Sequence, residues 1–274
     1  MVNSSTISLA DLTLAALMLL ALAAVCRPIS ERTATGLITS MGRMALQLSL
    51  LGMVLQAVFD NVSLLWVTLI SLVMLAAAGR EVVIRQRYRS NAWADWRVGL
   101  AAMTSSSFLL TLLALLVMVQ HEPWYHPRYA IPFLGMMLGN TMTSIALTIS
   151  RILEGAHQRS AIIEGRLALG DNWQDAVASI RVDGIRQGLL PIINMMAASG
   201  LVSLPGMMTG QLLAGANPMT AVSYQILIIL LIAIGAGSGC LLAAHLTCKR
   251  LFDPRERLAL DDYRDTEVDK RGRR

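Results

Sequence analysis

Charge is scarce in this chain: 15% of its 274 residues are Asp, Glu, Lys or Arg, against 55% hydrophobic. A soluble domain is closer to about 25% charged, so the composition points to a membrane protein. Lysine is almost missing, with Lys249 and Lys270 the two present. No G-x-x-x-x-G-K-[ST] loop occurs, and neither lysine stands where a phosphate-binding loop could use it. H-E-x-x-H and G-x-S-x-G are absent too, which leaves metalloprotease and serine-hydrolase chemistry without support. Any driving energy must therefore come from an ion gradient or from a separate subunit. Cysteine is scarce: Cys26, Cys240 and Cys248 lie in or beside apolar runs, which argues against a disulfide framework or a zinc cluster. The pI is near 9.5, yet no basic stretch is interleaved with aromatics, so a nucleic-acid partner is not expected. No basic residue precedes the first apolar run and Asp11 sits inside its start, so that run reads as a retained span rather than a signal peptide.

What the chain has in abundance is long apolar runs. A hydrocarbon core about 30 Å thick needs about 20 helical residues, because unpaired backbone groups are costly in lipid. Seven runs qualify: 7–26, 37–58, 62–78, 98–119, 130–149, 189–213 and 221–246. The fold class expected is all-α, a polytopic membrane protein of about seven transmembrane helices. Residues 1–252 would form the membrane domain and residues 253–274 a charged, flexible tail. Arginines orient the set. With the C-terminus in the cytoplasm, Arg27 and Arg32, the cluster from Arg80 to Arg97, the cluster from Arg151 to Arg186 and the tail all lie inside, while Arg128 is outside. The expected topology is N-terminus out, C-terminus in.

Polar residues within the spans mark candidate sites. Ser40, Arg43 and Gln47 share one face of span two, either as an arginine reaching for the interface or as the wall of a cytoplasm-facing cavity. In span five, Asn140, Ser144, Thr148 and Arg151 form one stripe beside a small-residue edge of Gly135, Gly139 and Thr143. Interhelical packing and a pore lining both fit that pattern. Span six holds Asn194, Met195, Met196, Met207 and Met208 around Pro205, with Gly206, Gly210 and Ala214 spaced by four for close packing. Pro205 should interrupt the helix there, and broken backbone at membrane depth is tolerated only inside protein or along a cavity. The thioethers of Met207 and Met208 are core filler or contacts for a soft metal ion. Outside, His121, Glu122 and His126 could bind a divalent cation, although Trp124, Tyr125 and Tyr129 read more simply as an interfacial belt.

The largest polar stretch runs from Arg151 to Gly188 and is too long for an unstructured loop. It reads as amphipathic helices broken at Gly170, with Asp171 or Asn172 as a cap. That shape suits docking into another protein, with a plain connector as the alternative.

The blocks IPFLGMMLGNTMTSIAL, RLALGDNWQDA and RQGLLPIINMMAASGLVSLPGMMTGQLLAGANPMTAVSYQI closely resemble the FetB family, over roughly residues 9–252. The resemblance implies a permease subunit of an ABC transporter, associated in bacteria with iron export and related to plant aluminium-sensitivity proteins. It implies a homodimer of permeases in the bacterial cytoplasmic membrane, served by a separate ATPase that binds ATP and Mg. Glu164, Leu169, Gly170, Asp171, Asn172 and Asp175 would form the ATPase-docking turn, where Leu169-Gly170-Asp171-Asn172 departs from the family-typical L-G-A-T-like turn after the glycine. The candidate path is Arg43, Gln47, Asn140, Ser144, Asn194, Pro205, Met207 and Met208. A metal ion is the cargo implied; an organic or nucleotide-sugar cargo, or a gradient-driven secondary transporter, is the alternative.

Overall fold

The computed structural model describes residues 8–60, 62–119, 123–260 and 263–265. The chain divides into two compact units, Met1–Val62 and Ser63–Arg274. In the first, α1 (Leu9–Cys26) and α2 (Glu31–Asp60) are joined by a turn in which Ser30 N–H donates to the Cys26 carbonyl at 2.8 Å. Asp11, odd at the head of an apolar run, belongs to a capping box: it accepts the Ser8 N–H while Ser8 Oγ accepts that of Asp11. Ser40, Arg43 and Gln47 stand exposed on α2.

The second unit is built on three long helices, α6 (Pro127–Gln158), α9 (Ala178–Ala198) and α11 (Pro218–Arg250), with α3 (Leu64–Ile84) and α4 (Ala92–Met103) packed alongside. Between α4 and Val119 the helix carries two π-helical segments, Thr104–Phe108 and Ala114–Val119, flanking α5 (Leu109–Leu113). Thr104, Ser105 and Ser106 each donate a hydroxyl to the carbonyl four residues back, at 2.6–2.8 Å. Those carbonyls are drawn off the regular ladder, and the helix widens by one residue.

Lipid tails are as apolar as leucine, so helices in a membrane are joined by close fit and by hydroxyl contacts rather than by exclusion of water. Both devices operate here. Gly188 of α9 lies so close to α6 that an added Cβ would come within 1.9 Å of Thr148 Oγ1 and 2.7 Å of the Ser144 carbonyl. Ser107 and Thr141 share a short hydroxyl–hydroxyl bond between the π segment and α6. Leucines and valines of α1, α2 and α3 point outward instead, many more than half exposed, as a lipid-facing surface requires.

Among the described residues, six helices are long and apolar enough to cross a membrane by length and composition. The remaining expected span, span six at residues 189–213, is not one helix. α9 starts earlier, at Ala178, and ends at Ala198; α10 (Gly206–Leu213) follows after a seven-residue break. The break is a hydrogen-bonded turn in which the Ala198 carbonyl accepts from the N–H groups of Leu201, Val202 and Ser203. Gly200 at φ +86° supplies its left-handed residue, and Pro205 is the N-cap of α10.

At the far end of the same unit, residues expected to begin a free tail are packed. Leu251 and Tyr263 are buried, with Leu258 and Leu260 against them, and β2 (Arg264–Asp265) pairs antiparallel with β1 (Tyr88–Arg89). Arg87 binds Asp265 at 2.9 Å, and Arg250 binds Asp95 at 2.8 Å. Asp253 ties the corner: the backbone N–H of Arg257, then its guanidinium and the backbone N–H of Arg255, hold its carboxyl below the usual range.

Candidate functional site

Two features of the second unit bear on function, and they lie at opposite ends of α6. The helix has 32 residues and so is about 48 Å long. Its first three turns line a cavity of about 510 Å³, and its last turn leads straight into α7.

The cavity is enclosed by the start of α6, by α10 and by the start of α11, with Leu115 closing one side. Pro132, Phe133, Met136, Met207, Leu227 and Ile228 make the apolar part of the wall together with Leu115. Arg128, Tyr129, Gln211 and Tyr224 supply the polar groups, and Gln211 Oε1 is buried without a hydrogen-bond partner among the described residues. Among the described residues, no carboxylate or imidazole belongs to the lining. α10 is held in place by Gln225 of α11, whose Oε1 accepts the Met208 N–H at 3.3 Å. That N–H is one of the orphan donors of a helix start, and Pro205 as N-cap has no side chain to take it. Replacing Gln225 by Leu is expected to destabilise the chain by about 1–3 kcal/mol and to speed hydrogen exchange at Met208 before any other part of α10. Unchanged exchange there would show that α10 does not depend on this contact.

Only part of the expected path reaches the cavity. Met207 lines it, and Met208 is held to α11 through its backbone. Asn140 stands half-buried one turn below Met136 and donates to the Met136 carbonyl at 2.8 Å. Ser144 and Thr148 are fully buried at the Gly188 crossing, so that part of the stripe is packed between α6 and α9 here. Ser144 Oγ has no partner among the described residues. Arg151 borders a separate groove of about 250 Å³ with Ser150, Glu154 and Gln187. Asn194 is exposed on α9, away from the cavity. Gly206 and Gly210 meet nothing within 4 Å, so the close packing expected of them is not made within the chain. Arg43 and Gln47 belong to the first unit. Of the outer trio, His121 and Glu122 lie outside the described residues; His126 precedes α6 with its ring 5.8 Å from that of Tyr129. Among the described residues no three His, Cys, Asp or Glu side chains form a cluster able to hold a metal ion. Met136, Gln211, Tyr224 and Gln225 escaped the sequence reading, which took Arg128 as an outside charge and Tyr129 as part of an interfacial belt. Gln225 carried a signal, as the only amide inside the last apolar run.

At the other end, α7 (Ser160–Ala168) and α8 (Trp173–Ala176) make a rigid knob. Gly170 turns the chain at φ +98°. Asn172, not Asp171, caps α8, its Oδ1 accepting the Asp175 N–H at 2.8 Å. Asp171 instead binds Arg166 Nε at 2.6 Å, and Arg166 also donates to the Asp175 carbonyl at 2.8 Å. One guanidinium thus clamps both sides of the turn. Glu164 is exposed and Leu169, at the tip, is 89% exposed. Trp173 seats the knob on the bundle, its ring 6.2 Å from His245 and 5.9 Å from Phe252. Trp173→Ala is expected to cost roughly 2 kcal/mol, below the range for a fully buried ring, and to expose residues 168–177 to limited proteolysis. Equal cleavage rates in both proteins would disprove that seating role.

The profile of the uncharacterised protein family UPF0014 matches residues 9–252. The chain belongs to the UPF0014 family. A UPF0014 membrane protein of Synechocystis is 42% identical over 196 residues, 70% of this chain and 74% of that one. The Arabidopsis protein named ALUMINUM SENSITIVE 3 is 33% identical over 192 residues, 70% of this chain and 68% of its own. The Escherichia coli protein named probable iron export permease protein FetB is 29% identical over 223 residues, 81% of this chain and 83% of that one. No solved structure matches the chain significantly. The family and the six apolar helices together make this UPF0014 chain a multi-pass, all-α membrane protein.

Proposed function

We propose that the chain is the membrane permease subunit of an ABC transporter, exporting iron or another metal ion as the name of the E. coli relative suggests. The observation that carries the reading is the clamped α7–α8 knob. It presents a nearly bare leucine on a rigid turn, a form made to be covered by another protein. From α8 the chain passes through Val177 into α9, then through the break to α10 on the cavity wall. A push on the knob therefore has a direct mechanical route to the opposite end, as largely rigid helix motion. The chain has no ATP-binding loop of its own, so ATP and Mg belong to the partner ATPase. With the N-terminus outside and the C-terminus in the cytoplasm of a bacterial inner membrane, the knob faces the ATPase and the cavity opens outward.

Two permease copies complete the path. Leu201 and Val202 in the break are 91% and 86% exposed, beside the open Gly206 and Gly210. Irregular backbone at membrane depth needs protein around it, and a second copy provides that cover. The test is co-purification of the chain from its own membranes with whatever ABC ATPase accompanies it, followed by ATP hydrolysis in vesicles. A stable assembly hydrolysing ATP is expected. An intact chain that binds no ATPase, or that moves cargo under a pH or voltage gradient alone, overturns the reading.

A further inference from the structure

A polar groove runs between α6 and α9, beside the seam where the two helices cross. Leu147, Ser150, Arg151, Glu154 and Gln187 line about 250 Å³ of it. Arg151 and Glu154 are half-buried, and among the described residues neither has an ion pair; Glu154 accepts the Ser150 hydroxyl at 3.2 Å. Pro191 has no N–H to give the Gln187 carbonyl, so that acceptor lacks its regular helical donor. Gly155 faces Ile180, Gly184 faces Ile152, and Gly188 faces Thr148 and Ser144, so α6 and α9 step past each other antiparallel. The same stepping brings Asn194 level with Asn140, and Asn194 is exposed while Asn140 is half-buried. Both lie within apolar runs long enough to span, where lipid cannot solvate an amide. Protein or water must cover this face.

The charges say what covers it. Arg151 and Glu154 have opposite signs and stand three residues apart on one helix. A two-fold axis beside α6 sets each against its opposite on an identical copy, making two ion pairs from one sequence. Gly139 is exposed and meets nothing within 4 Å, and Thr143 follows one turn on, so two α6 helices can approach closely there. The exposed face of α9 continues from Gln187 through Leu190, Ile193 and Ala197 to Leu201 and Val202, so one contact covers the groove and the break together.

We infer that two copies of the chain meet across the α6–α9 groove, with Arg151 of each facing Glu154 of the other and Asn140 and Asn194 enclosed in the seam. The inference rests on the permease reading for its transport meaning, but the pairing itself needs neither ATPase nor cargo.

The experiment reads pairing as energy transfer between donor- and acceptor-labelled full-length chains in lipid vesicles, over a range of protein-to-lipid ratios. Wild-type chains are expected to pair. Arg151→Glu and Glu154→Arg each set like charges face to face twice, and each should weaken self-pairing at least about tenfold. Mixing the two variants should restore pairing to near the wild-type level, because each then meets the opposite sign on the other. A role confined to one chain, such as an ion pair along α6, cannot be mended by mixing. Gly139→Cys in a Cys26→Ser background should form a disulfide-linked pair on mild oxidation, the other two cysteines being buried. Leu230→Cys, exposed on α11, should form none. Single variants that pair as tightly as the wild type overturn the inference. So does a mixture that pairs no better than either variant alone, or a link through Leu230→Cys with none through Gly139→Cys. If wild-type chains pair and mixing restores nothing, this inference alone falls and the groove faces water or another protein. If wild-type chains stay single even with the ATPase bound, the two-copy permease reading falls with it.

Discussion

Gly188→Ala is expected to be the most destabilising single methyl that can be added to this chain. An alanine in a helix interior normally gains about 1 kcal/mol over glycine, so the sign of the effect depends on what the methyl meets. Here it would lie 1.9 Å from Thr148 Oγ1, 2.7 Å from the Ser144 carbonyl and 3.1 Å from Cys240 Sγ. Thr148 is β-branched and its hydroxyl already donates to the Ser144 carbonyl at 3.0 Å, so its rotamer is pinned. The carbonyl is backbone and yields only if α6 and α9 separate. Overpacking costs about 1–3 kcal/mol where side chains can shift, and this site should exceed that range. Gly184→Ala makes the comparison, because its methyl meets the Ile152 side chain at 2.5 Å and the Thr148 carbonyl no closer than 3.2 Å. Thermal unfolding in detergent should rank the wild type above Gly184→Ala and that above Gly188→Ala. Adding Thr148→Ala should recover part of the Gly188→Ala loss, leaving the share due to the carbonyl. Equal melting of Gly188→Ala and the wild type would show that the helices cross less closely than described.

The same crossing marks the limit of what the sequence discloses. The apolar runs, the interruption near Pro205 and the glycine turn at Gly170 were legible, because each depends on residues adjacent in the chain. Ser144 and Thr148 share a helical stripe with Asn140, and the stripe alone fits a pore as well as a packed seam. What decides is Gly188, forty residues further on, which brings α9 against two of those residues and leaves Asn140 beside Met136. The cavity is hidden for the same reason, since Arg128, Met136, Met207, Gln211 and Tyr224 come from three helices. The amphipathic stretch read after Gly170 and the apolar run from residue 189 share one helix, α9 from Ala178, and the change of hydropathy between them hides the join. In the C-terminal stretch, charge concealed a second pattern: Leu258, Leu260 and Tyr263 interrupt the polar residues and pack against the buried cluster.

Leu169→Asp is expected to abolish association with the ATPase while the permease folds as before. In the isolated chain Leu169 is 89% exposed, so its replacement removes no internal contact and should shift stability by less than about 0.5 kcal/mol. In the assembly the same side chain would be the apolar centre of a docked surface. Such anchors are worth about 2 kcal/mol or more, so affinity should fall at least roughly thirtyfold, and a buried unpaired carboxylate adds to the loss. Arg166→Ala should act more weakly by another route. Its ion pair with Asp171 is about 40% exposed on both sides and contributes at most about 1 kcal/mol, yet it also holds the Asp175 carbonyl. Loosening that clamp leaves Leu169 in place but lets the turn wander, so binding should weaken severalfold without being lost. Circular dichroism and melting in detergent check the fold of each variant, and co-purification with ATPase titration checks docking. The two measurements must separate for Leu169→Asp, an unchanged melt with binding gone. If Leu169→Asp instead binds like the wild type, the ATPase sits elsewhere, and the route from α8 through α9 to the cavity loses its starting point.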